Sequence, residues 1–191
     1  ENFPISGTRI SAMPDLVRAL AHVKKAATRA NADLGAISRE RADAILAACD
    51  DIAAGHLLEE FVVDVIQGGA GTSTNMNANE VICNLALEKM GHPKAAYDVL
   101  HPNDHVNASQ STNDVYPTAV RLALWFAIGR LIDAMVALRG AFEAKAHEFK
   151  DILKIGRTQL QDAVPMTLGQ EFLTYAVMIE EDEQRLREAR A

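Results

Sequence analysis

A long apolar stretch in the second half of the chain constrains the fold more than any other feature. From Tyr116 to about Phe149 turn residues are almost absent and the only proline, Pro117, stands near the start, which predicts one helix of about 30 residues. A helix that is apolar nearly all round must be buried by other helices. The apolar residues that occupy most of its faces are Val120, Leu122, Leu124, Phe126, Ile128, Leu131, Ile132, Met135, Leu138 and Phe142.

A second apolar stripe follows further along the sequence. It begins at Leu168 and continues through Phe172, Tyr175, Ala176 and Ile179 at helical spacing. Two helices cannot close a bundle around themselves. We therefore expect the missing helices to come from residues outside this chain, from other subunits, or from both.

The first half of the chain predicts shorter helices separated by turns. Pro14 suits a first helical turn with Ser11 as a possible cap, and Ser38 is a typical cap for a second helix. The predicted elements are a helix over 14–31, a helix from 38 that Gly55 stops, a helix over 80–90 that Gly91 stops, and a polar loop over 92–114. We expect an all-α fold, with a mostly helical N-terminal domain over 1–112 and the first long helices of a central bundle over 113–191.

Composition narrows the possible partners. The chain carries 19 Lys and Arg against 26 Asp and Glu, a net charge of −7, and has no basic run, so we expect neither nucleic acid nor an anionic membrane as a partner. No apolar run approaches the ~18 residues of a membrane span. Cys49 and Cys83 lie in apolar stretches and are predicted to be small core residues.

The start, residues 1–4, has neither an initiator Met nor the pattern of a signal peptide, and the far end stops inside a helical pattern. We expect a cytoplasmic protein of which this chain is a piece.

Three polar patches stand out in this helical chain. The first, from Gly68 to Asn77, joins glycines to hydroxyl and amide side chains, but it lacks the Gly-Lys-Ser/Thr ending of a phosphate loop. Neutral donors that lead into a helix can bind an anion, because the helix dipole adds positive potential there. The alternative is a loop whose Asn and Thr side chains only cap the next helix.

The second patch, from His101 to Asp114, ends just before the long helix. His101 and His105 are four residues apart, but Pro102 disfavours a helical conformation at His101, and no cysteine or His-Glu-x-x-His pattern accompanies them, so we expect no metal. Uncharged donors, Ser111, Thr112 and Asn113, again precede a helix. They are either a cap alone or part of a site.

The third patch, from Gly156 to Pro165, is predicted to stand at the start of the last helix. Its Arg157 is the one cation in the three donor runs, and a lone Arg beside a turn is more often a surface or packing residue than a ligand. No patch suggests a Ser-His-Asp or Cys-His nucleophile. One cluster of this kind is a cap, but three favour a convergent site that holds a small anion.

The three patches together resemble the aspartase/fumarase superfamily. The matching runs are Gly-Ala-Gly-Thr-Ser-Thr-Asn-Met-Asn-Ala-Asn-Glu at 69–80, residues 103–118, and Gly-Arg-Thr-Gln-Leu-Gln-Asp-Ala-Val-Pro at 156–165, in the order of that family with the long helix between the second and the third. The resemblance implies a reversible anti-elimination that yields fumarate through an aci-carboxylate. A base removes the proton beside one carboxylate, and hydrogen-bond donors stabilise the charge that develops there.

The resemblance also assigns roles to residues of this chain. Thr72, Ser111 and Thr112 would hold the carboxylate on which charge builds up, and Thr158 would hold the other carboxylate. Asn113 and Gln159 would face the amino group. The stretch His101, Asn103 and Asp104 matches, weakly, a region that forms a secondary anion site in fumarases.

Within the superfamily, the sequence favours members that release ammonia from L-aspartate. Fumarase-like chains tend to have Gly-Thr-Gln-Ser, Ser-Ser-Asn-Asp and Thr-His where this chain has Gly-Thr-Ser-Thr at 71–74, Ser-Thr-Asn-Asp at 111–114 and Thr-Gln at 158–159. The alternatives are a class II fumarase and a non-catalytic structural member. The resemblance implies no cofactor and a homotetramer whose active sites are shared between subunits.

One departure from the family concerns catalysis. The loop Gly-Ser-Ser-x-Met-Pro-x-Lys-x-Asn-Pro, which bears the serine base in the family, is absent from this sequence. We expect that serine beyond Ala191, so this chain carries no catalytic base. We therefore expect the chain alone to be inactive and to self-associate through its apolar helices.

Overall fold

The computed structural model describes residues 5–67 and 69–191, and these residues are mostly helical, which confirms the predicted fold class. The helices are α1 (Pro14–Asp33), α2 (Arg39–Ala53), α3 (Thr72–Lys89), α4 (Thr112–Glu148) and α5 (Leu168–Arg190), with 3₁₀ turns at Ile10–Ala12 and Leu58–Glu60 and a π turn at Pro102–Val106. Strands β1 (Leu153–Thr158) and β2 (Gln161–Thr167) form one antiparallel hairpin. The chain divides into two compact units, and the division falls within α4, between Leu124 and Trp125. The expected domain boundary at 112/113 stays a prediction.

Small residues allow the helices of the N-terminal unit to approach closely. Helix α2 packs against α1 and α3, and the buried side chains between them include Ala42, Ala48 and Ala86. Cys49 and Cys83 are fully buried in the same core and form no disulfide, as predicted from their apolar surroundings. Burial raises the pKa of each thiol to about 12, so both remain neutral.

Several predicted helix ends agree with the structure. Ser38 caps α2 by accepting a hydrogen bond from the Arg41 backbone N–H. Gly55 and Gly91 follow the ends of α2 and α3 with φ of +100° and +80°, which glycine adopts without strain. The suggestion that Ser11 caps α1 is wrong, because Met13 occupies the cap position and its side chain makes no capping bond.

Two helices begin earlier than their apolar patterns indicate. Helix α3 starts at Thr72 rather than Glu80, and several of the intervening polar side chains form hydrogen bonds to residues outside the helix. Asn77, for example, accepts from the Val62 N–H (3.0 Å) and donates to the Glu60 carbonyl (3.0 Å).

Helix α4 likewise starts at Thr112 rather than Tyr116, so Pro117 lies inside the helix instead of in its first turn. Proline has no N–H, and the Asn113 carbonyl therefore lacks its helical donor.

The third polar patch is a β-hairpin, not the start of a helix. Strands β1 and β2 pair from Leu153 with Thr167 to Thr158 with Gln161, and Gln159 and Leu160 form the turn with φ of +49° and +63°. Helix α5 begins only after the hairpin. Thr167 and Gln170 form a capping box there, and this box defines the helix start in place of the predicted donors.

The C-terminal unit leaves much apolar surface uncovered. Its helices meet through an aromatic cluster that includes Phe142 and Phe172, and through an ion pair between Arg139 and the buried Glu183 (3.0 Å). Other large apolar side chains are about half exposed, namely Trp125, Leu131, Leu138, Leu173, Val177 and Met178. No helix within 5–67 and 69–191 is long and apolar enough to cross a membrane.

A buried aspartate holds the segment that precedes α1 in place through hydrogen bonds. The carboxylate of Asp64 accepts hydrogen bonds from the backbone N–H groups of Ile5, Ser6, Gly7 and Ile66, and from the Ser6 hydroxyl. Burial raises its pKa, but these hydrogen bonds outweigh that effect and bring the pKa down to about 2.

We predict that this carboxylate makes stability depend on pH in the acid range. Because folding lowers the pKa of Asp64 from 3.8 to about 2, its stabilising contribution is complete above pH 3.8 and is lost as the pH falls through about 2. In the full-length protein, Asp64→Asn should lower the free energy of unfolding at pH 5 and speed amide hydrogen exchange at Ser6 and Gly7. The difference from wild type should shrink towards pH 2.

The control is Asp43→Asn, which changes an exposed carboxylate on α2. This variant should leave exchange at the same amides unchanged. Equal exchange in wild type and Asp64→Asn would show that the carboxylate is not what holds the segment.

Candidate functional site

The structure brings the first two polar patches together in the N-terminal unit. Gly71 precedes α3 with φ of +83°, and a Cβ atom built on it would lie 2.3 Å from the Tyr116 ring. Only glycine lets the loop before α3 lie against the first turns of α4. The N-termini of two helices therefore approach each other, and their dipoles contribute positive potential to the same region.

Amide side chains connect the two helix starts. Asn75 Nδ2 donates to the Thr112 hydroxyl oxygen (3.1 Å) and to Asn107 Oδ1 (3.2 Å). Behind them, Lys24 Nζ donates to Asn107 Oδ1 (2.8 Å) and to Gln110 Oε1 (3.0 Å). Burial lowers the pKa of Lys24 to about 7.

The predicted donors of these two patches lie at the helix starts, with hydroxyl groups available to a ligand. Thr72 is the first residue of α3 and is exposed. Ser111 directly precedes α4, and its hydroxyl oxygen accepts from the Asn113 N–H (3.3 Å), so it does cap the helix. Thr112 is half-buried, whereas Asn113 is exposed. Gly68, at the edge of the first patch, lies outside the described residues.

The structure places the third patch in the C-terminal unit. Thr158 ends β1 and Gln159 begins the tight turn, and both are exposed. A positive φ at Gln159 and Leu160 is strained for residues other than glycine, and such strain concentrates at functional sites. Arg157 forms an exposed ion pair with Asp162 (3.4 Å), as expected for a surface residue.

The two histidines of the second patch accept hydrogen bonds from the nearby backbone. His101 Nδ1 accepts hydrogen bonds from the backbone N–H groups of Asn103 and Asp104, both at 3.2 Å. The backbone N–H of His101 donates to His105 Nδ1 (2.8 Å). These bonds shape the π turn that leads to α4. Within 5–67 and 69–191, no group of three or more His, Cys, Asp and Glu side chains gathers in a way that could hold a metal ion.

Sequence reasoning missed the three residues behind the donors. Lys24, Asn75 and Asn107 are not in the predicted site, although all three join the hydrogen-bond network. A signal for Lys24 was present, because it occupies a position of the buried stripe that includes Val17 and Leu20 on α1. A lysine at a core position of an amphipathic helix indicates a buried polar partner.

The fold and the site define a helical protein in which neutral hydrogen-bond donors cluster where two helices begin, an arrangement that suits a small anion. The chain matches the lyase family over residues 1–191, and it belongs to this family, within the aspartase/fumarase superfamily.

Relatives support this membership along the whole chain. The aspartate ammonia-lyase of Helicobacter pylori is 55% identical over 190 residues, which is 100% of this chain and 41% of that relative. The crystal structure of fumarate lyase:delta crystallin from Brucella melitensis has a TM-score of 0.95 and 59% identity, and the match covers 99% of this chain and 44% of that one. The class II fumarase of Schistosoma mansoni has a TM-score of 0.83 and 38% identity over 90% of this chain and 36% of its own. The chain thus spans about two fifths of the length of the curated relatives that it matches.

We predict that Gly71→Ala disturbs the contact between the two helix starts. The variant combines a strained positive φ with an overlap on the Tyr116 ring, so its loss of stability should exceed the ~1–2 kcal/mol of a left-handed alanine alone. Urea unfolding of the full-length protein measures the loss.

Gly91→Ala is the matched control, since Gly91 has a φ of +80° and nothing within 4 Å of its Cβ position. If both variants lose the same free energy, the contact with Tyr116 is not a constraint.

Proposed function

We propose that the full-length protein catalyses the reversible deamination of L-aspartate to fumarate and ammonia. The observation that carries the proposal is the 55% identity to an aspartate ammonia-lyase across the whole chain. The Ser-Thr-Asn-Asp run at 111–114 and the Thr-Gln pair at 158–159 also favour this activity over hydration.

In this proposal the chain supplies substrate-binding groups. Thr72, Ser111 and Thr112 bind the carboxylate that becomes the aci-carboxylate, and Thr158 binds the other carboxylate. The convergence of the α3 and α4 helix starts supports the first assignment, because hydroxyl hydrogens and helix dipoles there favour a growing negative charge.

The leaving group requires acceptors rather than donors. The amino group of L-aspartate is an ammonium, and the side-chain oxygens of Asn113 and Gln159 can accept its hydrogen bonds. Both residues are exposed in this chain, as a substrate contact requires. The base that removes the proton is a serine beyond Ala191, so the complete site needs the rest of the protein.

The proposal extends to assembly and location. A homotetramer would cover the half-exposed apolar side chains of α4 and α5 and would bring donors from several subunits together. The enzyme would act in the cytoplasm, with no cofactor and with no nucleic acid or membrane as partner.

Hydration of fumarate to malate is the second candidate, because the class II fumarase of Schistosoma mansoni shares the fold at 38% identity. The two reactions share the aci-carboxylate and differ in the leaving group, water or ammonia. The residues that face the leaving group therefore distinguish them, and Gln159 stands where fumarase-like chains tend to have His.

We predict that ammonia release from L-aspartate greatly exceeds malate formation from fumarate in the full-length protein. Absorbance of fumarate at a fixed enzyme concentration measures both reactions in parallel. Faster formation of malate would make the fumarase assignment correct instead.

We predict that the threonine donors matter more for catalysis than for folding. In the full-length protein, Thr72→Ala, Thr112→Ala and Thr158→Ala should each lower turnover by roughly 10²–10³-fold, since each removes a preorganised donor. Loss of a cap alone costs only ~1 kcal/mol of stability. Turnover and melting temperature are measured on the same preparations.

Thr174→Ala is the control for these variants. Thr174 is exposed on α5, and its hydroxyl donates to the Gln170 carbonyl within its own helix. It should keep full turnover. Small and equal losses in turnover and stability at Thr72, Thr112 and Thr158 would show that these hydroxyl groups have only a structural role.

A further inference from the structure

A buried lysine lies directly behind the donor groups of the N-terminal unit. Lys24 is 0% exposed, and its Nζ atom binds two amide oxygens, Asn107 Oδ1 and Gln110 Oε1. Within the described residues it forms no ion pair. A lysine in a core without a counter-charge weakens folding, so its presence calls for a role other than stability.

The lysine fixes the direction of the hydrogen bonds in front of it. An ammonium has N–H donors and no acceptor, so Asn107 must turn its Oδ1 towards Lys24. Even the neutral amine has one N–H for each of the two amide oxygens. The same Asn107 Oδ1 accepts from Asn75 Nδ2, and Asn75 Nδ2 also donates to the Thr112 oxygen. Because that oxygen accepts from Asn75, the hydroxyl hydrogen of Thr112 must point elsewhere.

One unsatisfied atom shows that the hydrogen bonds of Asn75 alone do not favour this orientation of its amide. Asn75 is 1% exposed, and its Oδ1 has no hydrogen-bond partner within the described residues. Reversing the amide would place this oxygen against the Oδ1 of Asn107, two acceptors face to face. The lysine-bound Asn107 therefore sets the orientation of Asn75, at the cost of a buried unpaired oxygen.

We propose that Lys24 is a positioning residue of the substrate site: through Asn107 and Asn75, it keeps the Thr112 hydroxyl oriented as a donor towards the bound carboxylate. This inference rests on the proposed function, since it requires Thr112 to contact the substrate. Lys24 itself is separated from Thr112 by two side chains and is not a catalytic residue.

The first test compares Lys24→Met with Lys25→Met in the full-length protein. Methionine has a similar length and no N–H, so that only the long bond from Asn107 Nδ2 to the Gln110 carbonyl (3.3 Å) still opposes a reversal of Asn107 and Asn75. We expect Lys24→Met to lower kcat by about 10–100-fold with a KM that changes less than about threefold, because the misdirected hydroxyl fails mainly in the transition state. The neighbouring Lys25 forms a surface ion pair with Asp50, and Lys25→Met should keep the wild-type kcat.

A double-mutant cycle distinguishes positioning from general packing. If Lys24 acts through Thr112, then Lys24→Met should change kcat less than about threefold in a Thr112→Val background. An equal factor in both backgrounds overturns the inference, and so does an unchanged kcat of folded Lys24→Met. The wild type is assayed first. If it releases no ammonia from L-aspartate, both the proposed function and the inference are wrong. If the wild type is active but the kcat of the variants does not change, only the inference is wrong.

A second variant applies if Lys24→Met does not fold. Asn75→Asp keeps the shape of the side chain but has no N–H, so the Thr112 hydroxyl must turn its hydrogen inward. We expect a loss of kcat of at least about 10-fold relative to wild type, while Asn84→Asp, a matched change on the same helix, keeps activity. Full kcat in Asn75→Asp overturns the inference.

Discussion

The meeting of two helix N-termini is the constraint on which the rest of the N-terminal unit depends. A helix start needs acceptors for its first N–H groups, and an anion needs donors. A hydroxyl can serve both, because capping uses its oxygen and ligand binding uses its hydrogen. Ser111 shows this division, since its oxygen accepts from the Asn113 N–H while its hydrogen remains available. Capping and substrate binding are therefore not competing explanations of these residues.

The parts of the fold that follow from local rules could be predicted from the sequence. The presence of one long helix at α4, the Ser38 cap and the glycine after α3 depend on apolar spacing and on backbone preferences. The early start of α3 could not, because Asn77 is polar by sequence and buried through bonds to residues 15 and 17 positions away.

The same distinction applies to the candidate site. Its exposed donors stand out as polar clusters in an apolar chain, whereas Lys24 meets Asn107 across 83 positions of sequence. The hairpin was missed for another reason. Its turn, Gln159-Leu160, lacks the Gly or Asn that normally marks a tight turn, so the local signal was absent.

Under the proposed function, neutral hydroxyl donors that face the substrate, with Lys24 buried behind them, would have a consequence for catalysis. An arginine in direct contact with a carboxylate binds substrate, intermediate and product alike, and uniform binding does not accelerate the chemical step. Neutral hydroxyl groups gain most when charge concentrates on the oxygens that they face, as it does in an aci-carboxylate. Lys24 adds positive potential from within the core when it is protonated, yet its hydrogen bonds are occupied by Asn107 and Gln110. In the proposed reaction, the hydroxyl groups of this chain would therefore favour the developing charge more than they favour the ground-state carboxylate.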